Sequence, residues 1–154
     1  GVTCDALCAM IDLMPTFAGL AGAPLPGRKI DGHDMAGVWF GDRGLASPHD
    51  ESGLFYYHAE QIQAVRSGPW KLYLALEKKL MNLADKTEPA VAQLFDVRHD
   101  VGETQEVSAE HPDVVARLNA LADAAREELG DLGREGKGQR PAGWVSNPTG
   151  RFLR

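Results

Sequence analysis

Basic residues are too few here to form a footprint. Sixteen Lys and Arg stand against 22 Asp and Glu, a formal net charge of -6 over 154 residues. Nucleic acid and anionic membrane surfaces are therefore poor candidate partners. No apolar run approaches the roughly 20 residues of a membrane span. The first residues show no charged segment followed by an apolar stretch, so no signal peptide is visible. Only two cysteines occur, Cys4 and Cys8. Their spacing in a helical pattern stacks them on one face, where a disulfide would constrain almost nothing, and two small buried or half-buried thiols are expected. Compartment is not legible from them. There is no phosphate-binding glycine loop, serine elbow or zinc-spaced Cys/His set, and no internal repeat.

What the chain does have is a strand-rich centre, LFYYHAEQIQAVRSGPWKLYL, from Leu54 to Leu74. Its aromatic and β-branched residues suit a pleated, half-buried surface. His58-Ala59-Glu60 and Ser67-Gly68-Pro69 read as two tight reversals joining three strands. Gly68 can take positive φ, and Pro69, lacking an N–H, sits best before a strand.

Around this centre the apolar spacing predicts helices. Leu7, Met10, Ile11, Met14, Phe17 and Leu20 recur at helical intervals between Ala6 and Gly22. Pro15 predicts a start or kink there, with Asp12 as a cap. The connector APLPGRKIDG from Ala23 leads to one helical turn over Met35 to Phe40, then to a polar surface stretch from Asp42 to Gly53. A loop from Glu77 to Ala90 precedes a fourth strand, QLFDV, from Gln93. His111-Pro112-Asp113 opens the longest helix. Its stripe of Val114, Val115, Leu118, Leu121, Ala122, Ala125 and Leu129 runs to Gly130. Beyond Gly130 the sequence reads as a tail, extended over something or disordered, with Trp144 and Val145 as its only anchors. The fold class is α+β: a four-stranded antiparallel sheet packed against a long C-terminal helix, with an N-terminal helix and an irregular tail.

Candidate chemistry is sparse. Asp31, His33 and Asp34 gather in DGHD, which the Asp-Gly turn explains more simply than a metal site. His49-Asp50-Glu51 reads as solvated surface. Tyr57 and His58 end a strand, where they face either a cleft or water. Arg66 and Lys71 are placed to pair with Asp96 as a structural ion pair. On these residues alone the chain has no self-sufficient active site.

Five blocks carry a resemblance: DLMPTFAGLAGAPLP from Asp12, KIDGHDM from Lys29, the central strands from Leu54, QLFDVRHDVGE from Gln93 and EHPDVVARL from Glu110. In this order they resemble the C-terminal part of type I sulfatases, the arylsulfatase and N-acetylgalactosamine-6-sulfatase-like members of the alkaline-phosphatase superfamily. GKGQRPAGW from Gly136 looks like the tail of bacterial arylsulfatases. Val101 departs from the usual proline, and Thr104 to Val107 from the usual Asn-Leu.

The resemblance implies a piece of a sulfuric ester hydrolase, divided as 1–22, a helix ending the catalytic domain; 23–53, a connector; 54–130, the C-terminal domain; and 131–154, the tail. The family's nucleophile is a formylglycine made within C/S-x-P-x-R, assisted by calcium, in an N-terminal catalytic domain. Neither Cys4 nor Cys8 begins that pattern, so none of the core catalytic residues is carried over. Tyr57 and His58 match a strand end that can approach the substrate cleft. The implied partners are that N-terminal catalytic domain and, through the whole enzyme, a sulfate ester; uncovered apolar surface would also favour self-association. Two rivals are a stand-alone α+β binding or scaffold module without enzymatic activity and a small metal hydrolase using His33, Asp34 and His49.

Overall fold

The computed structural model describes residues 3–41, 45–81, 87–141 and 143–146. Its centre is an antiparallel sheet ordered β1-β2-β3-β6, built from β1 (Leu54–His58), β2 (Gln61–Ser67), β3 (Trp70–Tyr73) and β6 (Gln93–Asp96). The two reversals fall where the sequence places them, and Gly68 takes a φ of 57° at the second. A cross-strand row runs Phe55, Val65, Leu72, Leu94 over one face. Val65, Leu72 and Leu94 are fully buried in that row. Each contributes about 1.5–3 kcal/mol of transfer free energy.

That row is covered by helix α4 (Pro112–Leu129), whose Leu118, Ala122 and Ala125 complete the core with Ile62 and Leu74. Pro112 opens the helix, where its missing N–H costs nothing. At the other end Arg126 Nε donates to Asp131 Oδ2 at 2.8 Å, and Asp131 Oδ1 accepts the N–H of Ile62 at 3.1 Å. One carboxylate thus ties the helix terminus to strand β2.

Four expectations are corrected. The Glu77–Ala90 loop is largely a hairpin of β4 (Leu76–Leu80) and β5 (Thr87–Ala90); its residues 82–86 lie outside the described ones. Its first strand, β4, is held because Gln61 Nε2 donates to Lys78 O and Gln61 Oε1 accepts from Leu80 N–H. The helix predicted from Ala6 starts only at a 3-10 turn, Met10–Asp12, continuing as α1 (Leu13–Leu20), with Pro15 in its first turn. Cys4 and Cys8 precede it and are exposed, not buried. The polar stretch before Gly53 is not all surface: after α2 (Ala36–Phe40), Ser47 and His49 are buried at the start of α3 (His49–Ser52).

Among its described residues the tail is fastened to the end of α4, but not by the expected anchors: Trp144 and Val145 are exposed. Gly130–Asp131 (β7) pairs with Arg134–Glu135 (β8). Next, the N–H groups of Lys137 and Gly138 donate to the carbonyls of Glu127 and Glu128 at 2.9 and 2.7 Å. These are helix-end carbonyls with no partner inside the helix. A Cβ on Gly136 would lie 2.3 Å from Gly130 N and Leu129 C. Gly136→Ala should therefore lift the tail and lower stability by about 1–3 kcal/mol. Urea denaturation checks this; an unchanged midpoint would show that the strap contributes nothing. Arg140 pairs with Asp31 and Lys29 with Glu128, joining tail, connector and helix end.

Candidate functional site

The site is built from the inner face of α1 outward. Asp12 is 0% exposed and His49 is 2% exposed. His49 Nε2 lies 3.0 and 2.9 Å from the two oxygens of Asp12. The same carboxylate accepts the N–H of Ala9 at 2.7 Å and of His33 at 2.9 Å. Burial pushes the Asp12 carboxyl up, but the His33 and Ala9 amides and the His49 imidazole outweigh it and hold it below the usual range. Thr16 extends the network: its hydroxyl donates to Asp12 O at 2.7 Å and accepts the N–H of Met35 at 2.9 Å. Ser47 closes the seam by donating to Leu7 O.

The consequence is an inverted helix. An ordinary surface helix turns apolar residues inward; here Asp12 and Thr16 point in, and the apolar stripe points out. Met10 is 81% exposed and Phe17 58%, with Ile11, Met14 and Leu20 exposed beside them. Leu25, Phe40 and Leu45, in the segments that follow, are exposed as well.

Tyr57 and His58 separate at the end of β1. Tyr57 donates its hydroxyl to Gly130 O at 2.9 Å and lines a cavity of about 410 Å³ with Glu60, Asp131, Arg134 and Gln139. Burial first, then the Asp131 carboxylate, raise its phenol above the ordinary value. His58 sits half-buried opposite Gln61 and does not line that cavity.

The DGHD residues disperse. Asp31 pairs with Arg140, Asp34 accepts the N–H of Ala36, and His33 turns its ring edge-on to His49 with centroids 4.8 Å apart. His33 and His49 thus meet, but Asp34 does not join them. Among the described residues no three His, Cys, Asp or Glu side chains are placed to hold a metal ion. These residues do not fit a calcium centre, and no metal chemistry is assigned to them.

The expected pairing with Asp96 is also corrected. Lys71 Nζ lies 2.6 Å from Glu103 Oε1 and 2.7 Å from the Tyr73 hydroxyl, which itself donates to Glu103 Oε2. Burial pulls Lys71 down, but these partners leave it above its ordinary value. Asp96 instead meets His99 at 2.8 Å.

Sequence reasoning missed the Asp12–His49 pair. The partners are 37 positions apart, and His49 sits in a polar run that reads as solvated. The only available signal was a carboxylate opening an apolar helix with no cation at i+3 or i+4.

Comparison with known proteins adds the family context. Residues 47–140 match the family model described as the C-terminal region of aryl-sulfatase. The chain is 32% identical over 145 residues to steryl-sulfatase of Mus musculus, covering 79% of this chain and 23% of the relative. To arylsulfatase A of Bos taurus it is 33% identical over 143 residues, covering 79% and 27%. It therefore spans about a quarter of the length of these relatives. Among solved structures, one described under metabolism of multiple glycosaminoglycans by bacteroides thetaiotaomicron matches with a TM-score of 0.56 and 22% identity, over 75% of this chain and 24% of that one. The crystal structure of Ps i-CgsB matches at 0.55 and 21%, over 79% and 24%.

Proposed function

Because this chain belongs to the family of aryl-sulfatase C-terminal regions, we propose that it is the C-terminal portion of an arylsulfatase-like sulfuric ester hydrolase. In this reading an N-terminal catalytic domain supplies the formylglycine and the calcium. The present residues cover that domain and shape the cleft, with Tyr57 and His58 as the positions nearest the substrate. The substrate class is a sulfate ester. The chain alone is then not an active enzyme.

The observation that carries the reading is the inverted helix α1. A stripe of Met10, Met14, Phe17 and Leu20 facing outward from a helix fixed by Asp12 and Thr16 supports a docking face for another domain. Residues 1–22 fit the end of the catalytic domain, which would bury this stripe.

Two measurements test this. Sequencing the gene upstream of the Gly1 codon should reveal a continuous reading frame containing C/S-x-P-x-R; a start codon at that boundary would leave only a stand-alone module. Sedimentation velocity at micromolar concentration should show the 154-residue chain self-associating, and Met14→Lys with Phe17→Lys should return it to monomer. A wild-type chain that stays monomeric would argue against an interface on α1.

A further inference from the structure

Arg66 lies directly opposite Lys71 on neighbouring strands. Cations at facing positions repel each other and destabilise a sheet. Lys71 has its own carboxylate in Glu103. Arg66 has none among the described residues: its Nε makes one long bond, 3.4 Å, to Gly68 O. A half-buried guanidinium with five N–H donors and one weak acceptor is underused.

Arg66 borders a cavity of about 390 Å³ between residues 5–7, the β2–β3 turn and the turn after β6. Arg98 enters the same lining, and its side chain has no ion pair among the described residues either. Leu7 and Val97 give apolar walls. Two acids also line it. The Asp50 carboxylate is engaged by the N–H groups of Ser47 and Gly68, at 3.2 and 3.1 Å. Asp5 stands exposed at the rim.

We propose that this cavity is an oxyanion-binding site, in which Arg66 and Arg98 hold a sulfate group. The planar guanidinium fork matches the oxygens of such a group. Asp50 fixes the turn that carries Gly68, and Asp5 limits the affinity. Choosing sulfate among oxyanions rests on the sulfatase reading, whereas the arginine pair and the cavity do not. Sulfate can arrive as the free ion or as a group on an anionic substrate.

The test follows the arginine Nε–H resonances of the 154-residue chain during titration with sodium sulfate at constant ionic strength. A second series uses a monosulfated monosaccharide, and a third uses acetate. Both arginines should shift saturably with sulfate. Arg98→Gln, at an exposed position, and Arg66→Gln should each weaken binding about tenfold or more. Arg28→Gln should leave it unchanged, and Asp5→Asn should tighten it. Tighter binding of the monosulfated sugar than of free sulfate would assign the site to substrate; equal binding would assign it to the ion. Acetate binding as tightly as sulfate would overturn the choice of sulfate. No saturable shift, or unchanged affinity in both glutamine variants, would overturn the site itself. The sedimentation result is independent: a monomeric chain that binds sulfate through Arg98 would sink the docking interface and keep this site.

Discussion

Replacing Asp12 by alanine should lower the melting temperature by roughly 10 °C, from a loss of about 3–5 kcal/mol. The carboxylate is fully buried and serves three donors at once: the amides of Ala9 and His33 and the His49 imidazole. Removing it leaves those donors without an acceptor in a site closed to water, and that penalty exceeds the net worth of the pair. His49→Ala should cost less, because the two amides still satisfy Asp12. The pH dependence follows from the depressed Asp12 carboxyl. Its contribution is fully present above the ordinary value of 3.8 and is lost as pH falls from there through the lower folded-state value. In thermal unfolding, the gap between wild type and Asp12→Ala should narrow as pH falls below 3.8. A melting temperature within about 2 °C of wild type at pH 7 would sink the claim that this carboxylate fixes α1.

Leu118→Ala should cost about 2–5 kcal/mol. Leu118 is 0% exposed at the middle of α4 and packs in one cluster with Ile62, Val65, Leu72 and Leu94. The sheet and the helix meet across it, so neither can close the space without losing other contacts. The urea midpoint should fall while the slope is unchanged, since the native state buries nearly the same surface. Leu132→Ala, at an exposed position in the β7–β8 hairpin, should fall within about 0.5 kcal/mol of wild type. Equal losses at the two positions would mean that α4 does not carry the core.

Much of this architecture was legible because its causes are local. Strand-forming composition with the turn at Gly68-Pro69 places β2 and β3, though a register shift opposite Tyr56 and Tyr57 breaks strict alternation in β2; the stripe after Pro112 places α4 with its buried face. The family was legible from the order of short blocks. Other features were not. Charge spacing offers Asp96 to either Arg66 or Lys71, yet the turn after β6 brings Glu103 to Lys71, with the Glu103 backbone at a φ of 53°. Loop geometry, not charge spacing, selected that partner.

By itself the sequence determined the elements, the sheet-under-helix pairing and the outward likeness to sulfatases, because periodicity and turn chemistry act over a few residues. Only the tertiary structure decided which side of α1 faces in. An apolar stripe says that a helix has a face to cover, not what covers it. Asp12 and Thr16 meet His33, Met35 and His49 only after the connector has folded back. That long-range polar network turns Met10, Met14 and Phe17 outward and leaves the stripe uncovered.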